Sequence, residues 1–151
     1  MQTAKITRIV PPIWLLAFLI AAWLLTWLLP LPIKLPGSEW VGRLIMLLCF
    51  AWIFYCAHLF RKHTTPLKPF VPVKAVITEG PYAVSRNPVY VAMIGVLVGW
   101  ALVLGSVYGW LAVVVFAYGI RRFWVLPEEQ QMEQEMGQAY LDYKAKVNRW
   151  F

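Results

Sequence analysis

The sequence carries little charge for its length. Only 14% of its 151 residues are Asp, Glu, Lys or Arg, and 61% are hydrophobic, whereas soluble domains have about 25% charged and about 45–50% apolar residues. This shortage of charge and a mean hydropathy of +0.63 exclude an ordinary soluble domain and a disordered chain. The length suits a single membrane domain over residues 1–151.

Four apolar runs also lack proline and acidic residues. They cover about residues 13–29, 41–60, 89–104 and 107–126, and each approaches the roughly 17–25 residues that cross a bilayer. A run without proline keeps the backbone hydrogen bonds of a helix unbroken in lipid. We therefore predict an all-α integral membrane protein with four transmembrane helices. The lack of carboxylates in the runs argues against a proton-coupled pump or exporter, which retains such groups for function.

The basic residues are distributed unevenly between the two sides of this predicted bundle. Four spans put both chain ends on one side, and that side receives twelve of the fourteen basic residues, whereas Lys34 and Arg43 lie opposite. The positive-inside rule then puts both termini in the cytosol. Attraction to anionic lipid explains the basic balance, so we predict membrane lipids as partners and no nucleic acid. The small size favours a bacterial inner membrane over the endoplasmic reticulum.

Cysteine is scarce as well. Cys49 and Cys56 lie seven residues apart in the second run, and His58 and His63 follow them. No pair among these residues has the spacing of a recognised ligand set, and Cys56 and His58 point to different helix faces. We predict no metal site.

The connection between the second and third runs, residues 61–88, contains five prolines and is too long for a simple connector. We expect a cytosolic loop with an extended stretch at residues 74–78 and a turn at residues 79–82. Asn87 suits a helix N-cap and Pro88 the first helical position. The free amides of such a helix start suit a carboxylate. The alternative is ordinary capping, with Arg86 at the membrane surface.

The C-terminal segment over residues 127–147 has the apolar spacing of an amphipathic helix on the membrane surface. Glu128 and Glu129 lie in its first turn, and Arg121 and Arg122 come shortly before it. Together with the proline-rich loop, these charges predict a site at the membrane edge where a polar cofactor meets a lipophilic substrate. The alternative is that the two acids only complement the helix dipole.

An ordered set of motifs resembles the isoprenylcysteine carboxyl methyltransferase family, to which phospholipid N-methyltransferases are related. The motifs are Thr78-Glu79-Gly80-Pro81-Tyr82, Arg86-Asn87-Pro88-Val89-Tyr90, Glu128-Glu129 and Met136-Gly137-Gln138-Ala139-Tyr140-Leu141-Asp142-Tyr143. They cover about residues 61–149 and indicate a small, bacterial-type member. The resemblance implies a methyltransferase that takes S-adenosylmethionine from the cytosol and a lipophilic acceptor from the bilayer.

The resemblance also assigns cofactor contacts. They fall on Lys74, Ala75, Val76, Ile77, Tyr82, Asn87, Pro88, Tyr90 and Glu128. In these roles the two tyrosines would pack against adenine or the sulfonium, the helix start would receive the methionine carboxylate, and Glu128 would bind amino or ribose groups. Since the transferred methyl is already activated, no nucleophilic side chain is required.

The acceptor is less well defined by the resemblance. The substrate-facing candidates are Arg86, Arg121, Arg122 and Glu129. The carboxyl methyltransferases have a substrate-facing arginine where this chain has Trp124, and many members have histidine in place of Asn87. A carboxylate, an amine and a thiol therefore all remain open as the methyl acceptor.

Two other functional classes also remain open. Sterol reductases, which use NADPH, are similar in their C-terminal region but have many more spans than four. The other alternative is a non-catalytic membrane protein that binds lipid or a partner through its basic face.

Overall fold

A computed structural model describes residues 10–63 and 76–151, and within these ranges the chain forms helices and no strands. The helices are α1 (Pro11–Leu28), α2 (Ser38–Lys62), α3 (Pro88–Leu104), α4 (Val107–Ile120), α5 (Leu126–Met136) and α6 (Gln138–Lys146). The predicted all-α class is confirmed.

Prolines and glycines set most of the helix bounds. Proline occupies the first turn of α1 and of α3, where its missing N–H costs no hydrogen bond. Gly37 precedes α2 with φ of 77°, and Gly105 follows α3 with φ of 54°, a region that residues with a side chain rarely adopt. The observed helix ends lie within three residues of the predicted ones for α1, α2 and α3.

Three helices in the described part of the chain are long and apolar enough to cross a membrane. They are Pro11–Leu28, Ser38–Lys62 and the continuous helix Val107–Met136. The apolar helix α3 has 17 residues, about 25 Å at the usual rise, which is short of the roughly 30 Å hydrocarbon core. The protein is an integral membrane protein, and the count of four spans stays a prediction.

Helix α3 occupies the centre of the bundle and contacts α1, α2 and α4. Glycines bring it close to two of these neighbours. A Cβ atom on Gly99 would lie 2.6 Å from the carbonyl oxygen of Gly42 in α2, and one on Gly109 in α4 would lie 2.6 Å from Cα of Ala101. Such close approach is how membrane helices gain packing contacts. It holds α3, and the functional residues at its start, in a fixed place.

The predicted surface helix over residues 127–147 is wrong in its bounds. Helix α4 continues through a π turn at Arg121–Val125 into α5, and the N–H of Leu126 donates to the carbonyl of Arg121. In an α-helix, Pro127 would clash with the carbonyl of Phe123, and the wider π turn accommodates its ring. At Gly137, with φ of 51°, the helix ends and α6 begins. The segment is therefore two helices, the first of which extends a membrane span.

Candidate active site

The candidate site lies at one end of the bundle, which we call the site end. Here α2 ends, α3 begins, and the long helix formed by α4 and α5 leaves the apolar part of the bundle. A short 3-10 turn, Gly80–Ala83, and Asn87, the N-cap of α3, lead the chain into this region. Helix α6 and the residues after it fold back onto the same place, since Arg86 N–H donates to the carbonyl of Asn148 at 3.0 Å.

Glu128 is linked to Tyr90 near the start of α3. The Tyr90 hydroxyl donates to Oε1 of Glu128 at 2.8 Å. Tyr90 is buried, whereas Glu128 is partly exposed. Among the described residues, Glu128 has no other hydrogen-bond donor and no cationic partner. Its second carboxylate oxygen, Oε2, accepts no hydrogen bond from them.

Glu129 has a very different environment. Its side chain is buried and accepts hydrogen bonds from three residues, a group that we call the Glu129 clamp. Arg86 Nη2 lies 3.3 Å and Asn87 Nδ2 3.0 Å from Oε1, and Arg149 Nη2 lies 2.9 Å from Oε2. Arg149 Nε adds contacts of 3.1 Å to both oxygens. Both oxygens of the carboxylate are engaged by protein groups.

A smaller apolar cluster adjoins the site end. Ile77 and Tyr82 are buried in it together with Cys56 and Leu59 of α2. The Tyr82 ring packs edge-on against Phe60, with centroids 5.7 Å apart. Burial in this cluster raises the pKa of Tyr82 well above its ordinary value, so its hydroxyl keeps its proton at physiological pH.

Helix α6 fixes the backbone of the turn that carries Tyr82. The Tyr143 hydroxyl donates to the carbonyl of Tyr82 at 2.6 Å and to that of Ser85 at 3.4 Å. Burial raises the pKa of Tyr143 to about 12, so this donor keeps its proton at physiological pH. The turn is thus held from α6 as well as from α2.

Comparison with known proteins identifies the family. The family model of phospholipid methyltransferases matches residues 38–139, about two thirds of the chain. The chain belongs to the phospholipid methyltransferase family. It is therefore a membrane methyltransferase, and the predicted relationship to this group of enzymes is confirmed.

A further match covers a shorter region. A stretch of 61 residues is 38% identical to an uncharacterized protein of Haemophilus influenzae, and it accounts for 40% of this chain and 97% of that protein. No solved structure matches the chain.

The fold of this family member brings most of the predicted cofactor residues together. Asn87, Pro88, Tyr90 and Glu128 meet where α3 begins, and Ile77, with the partly buried Val76 before it, and Tyr82 lie in the adjoining cluster. Lys74 and Ala75 lie outside the described residues. Asn87 is the N-cap of α3, as predicted, but its side chain donates to Glu129 and makes no capping hydrogen bond. Contact between these residues and a cofactor stays a prediction.

The predicted substrate-facing residues separate into two groups. Arg86 and Glu129 bind each other in the clamp, and each side chain is less than a tenth exposed. Arg121 and Arg122 are exposed on the π turn, and neither has an ion-pair or hydrogen-bond partner in the described part of the chain. Of these four residues, Arg121 and Arg122 therefore present an exposed cation without a partner in the described part of the chain.

Trp124 is part of the apolar core. Its side chain is fully buried and packs edge-on against Trp14 of α1, with centroids 4.9 Å apart. Its Nε1–H is buried without an acceptor among the described residues. The position that carries a cation in the carboxyl methyltransferases therefore joins α1 to the π turn in this chain.

Sequence reasoning missed the part that Arg149, Ser85 and Tyr143 play at the site end. No local pattern connects Arg149 to Glu129, twenty residues earlier. The charge pattern weakly indicated an ion pair, because Glu128 and Glu129 lie between basic segments. It could not show which of the two acids the arginine would bind.

Proposed function

We propose that the protein transfers a methyl group from S-adenosylmethionine to a lipophilic acceptor at the membrane edge where α3 begins. Methyltransferases of this family generally use S-adenosylmethionine. The observation that carries the proposal is the Glu128–Tyr90 pair, because it leaves a carboxylate oxygen without a donor from the described residues beside the start of a helix.

The groups at this place fit the chemistry of S-adenosylmethionine. The first amide of α3 that donates a helical hydrogen bond is that of Val91, which donates to the carbonyl of Asn87 at 3.1 Å. The amides of Val89 and Tyr90 therefore have no acceptor within the helix and suit the methionine carboxylate. The open oxygen of Glu128 suits the ammonium or the ribose hydroxyls.

The chain itself has little chemistry to perform. When bound, the cofactor supplies a methyl group already activated on a sulfonium. The amides of α3 and the Glu128 carboxylate hold and orient the ligand, and the aromatic rings of Tyr82 and Tyr90 limit the access of water. Alignment of the acceptor with the methyl group then provides most of the rate enhancement.

The acceptor enters from the bilayer beside the π turn. A carboxylate acceptor would pair with Arg121 or Arg122, whose guanidinium groups are exposed and unengaged in the described residues. An amine or a thiol would need neither cation. Replacing both arginines with glutamine separates these possibilities once an acceptor is known.

Calorimetry on the detergent-purified protein tests the proposal. S-adenosylmethionine and S-adenosylhomocysteine should bind, and NADPH should not. Glu128→Gln should weaken binding by at least about tenfold, since a hydrogen bond to a charged group is worth about 1.5–3 kcal/mol. Glu39→Gln, the same change in an exposed ion pair at the opposite end of the bundle, should bind as the wild type does. Binding of NADPH alone, or equal affinity in Glu128→Gln, would contradict the proposal.

A further inference from the structure

The residues after α6, from 147 to 150, run along the start of α3. The carbonyls of Lys144 and Val147 accept hydrogen bonds from Arg86 Nη1 at 3.1 and 3.0 Å. The carbonyl of Asn148 accepts from the Arg86 amide at 3.0 Å. We call residues 147–150 the tail. It lies outside residues 38–139, which the family model matches.

Arg149 connects the tail to the N-cap of α3 along two routes. Its guanidinium binds Glu129, whose Oε1 accepts from Asn87 Nδ2. Its carbonyl accepts from the Ser85 hydroxyl at 3.1 Å, and the same hydroxyl accepts from the Asn87 amide at 3.1 Å. Both the side chain and the backbone of Asn87 are therefore held through this one residue of the tail.

The tail is itself anchored in the protein. Trp150 packs against the main apolar core, which includes Tyr90 and Trp124. Arg86 and Arg149 together bring two positive charges to the single Glu129 carboxylate. Without the Arg149 side chain, the carboxylate would retain only Arg86 and Asn87, and the route through Glu129 would be weakened, whereas the Arg149 carbonyl would still accept from Ser85.

We propose that Arg149 is a positioning residue for the cofactor. It fixes Ser85, Asn87 and through them the first amides of α3, which are the groups that receive a carboxylate. The inference rests on the proposed function and adds that part of the binding geometry comes from beyond the family-matched region. If Arg149 only stabilised the protein, its variants that remain folded would bind the ligand with unchanged affinity.

Two measurements on the full-length protein test this role. Calorimetry gives the affinity for S-adenosylmethionine and S-adenosylhomocysteine, and hydrogen exchange of the ligand-free protein reports on the Arg86 and Asn87 amides. Arg149→Ala should weaken binding about tenfold or more and speed exchange over residues 85–88, because the loss removes several charge-assisted hydrogen bonds. Lys146→Ala, an exposed cation of α6 with no partner in the described residues, is the matched control and should equal the wild type in both measurements.

Arg149→Lys refines the test, because it keeps the charge but loses the two-pronged contact with Glu129. Its affinity should lie between those of the wild type and Arg149→Ala, and it carries the test if the alanine variant does not fold. Faster exchange with unchanged affinity in Arg149→Ala would overturn the inference, and so would wild-type behaviour of Arg149→Lys in both measurements. No binding by the wild type would overturn the proposed function, and the inference with it.

Discussion

Glu128 and Glu129 are neighbours in the sequence and opposites in the structure. Glu129 is 5% exposed and accepts hydrogen bonds from Arg86, Asn87 and Arg149. Glu128 is partly exposed and accepts one, from Tyr90. One carboxylate joins the tail, α3 and α5 through both of its oxygens, whereas the other is bound through a single oxygen in the described part of the chain and is the one that we propose binds the cofactor.

The difference shows that the role of an acidic residue at this membrane edge depends on the donors around it. A buried carboxylate between two guanidinium groups is a structural element, because its removal leaves uncompensated positive charge. A carboxylate that accepts a single hydrogen bond from a neutral donor contributes less to stability. Three predictions test how far this contrast holds.

The largest expected effect is on stability. Glu129→Ala leaves Arg86 and Arg149 without their shared partner, and breaking a buried ion pair of this kind costs about 3 kcal/mol or more. The free energy of unfolding in detergent should fall by about that amount. Glu128→Gln keeps an acceptor for Tyr90 and should change the free energy of unfolding by under about 1 kcal/mol. A less stable Glu128→Gln than Glu129→Ala would reverse the comparison.

A smaller effect is expected from removing the one donor to Glu128. Tyr90→Phe should weaken binding of S-adenosylmethionine by roughly threefold to tenfold and cost about 1 kcal/mol in stability, since one hydrogen bond is lost. Tyr118→Phe is the control, because the Tyr118 side chain is exposed on α4. Equal affinity in the two variants would mean that Tyr90 does not orient Glu128 for the ligand.

The smallest effect comes from a third acid, Glu79, which is exposed and pairs with Lys62 at 2.9 Å and His63 at 2.8 Å. Hydrogen bonds from His63 and Lys62 lower the pKa of Glu79 below its ordinary value of 4.5. Its contribution to stability is therefore present above about pH 4.5 and is lost as the pH falls through the lowered value. Thermal unfolding from pH 7 to pH 3 should show a slightly weaker acid dependence in Glu79→Gln. An unchanged profile would mean that the pair adds nothing measurable.

The helices of the bundle could be predicted because local signals mark them. Apolar runs, together with Pro88 at the start of α3 and Gly105 after it, locate α3 to within one residue. The sequence analysis ended the fourth span before Pro127, because proline usually ends a helix. The local pattern does not reveal the π turn that lets the helix continue. Gly137 lies inside the predicted surface helix and breaks it in the structure.

The site was predictable only in part. The start of α3 follows from Asn87 and Pro88, and the resemblance pointed to Tyr90 and Glu128 before their contact was known. The Glu129 clamp depends on residues far apart in the chain, such as Asn87 and Glu129, 42 positions apart. No periodicity encodes such contacts, so the sequence did not reveal that Glu129 binds Arg86, Asn87 and Arg149.

The π turn of Arg121–Val125 shifts the phase of the helix that contains it. Before the turn, the buried stripe advances by four residues, from Phe116 to Ile120. In the turn both Trp124 and Val125 are buried; Val125 lies five residues after Ile120, and Glu129 lies four residues after Val125. An uninterrupted stripe would have brought Glu128 to the buried position, with Glu129 rotated about 100° away from it. The extra residue of the π turn therefore brings Glu129 into phase with Ile120 and Val125, where Arg86, Asn87 and Arg149 bind it.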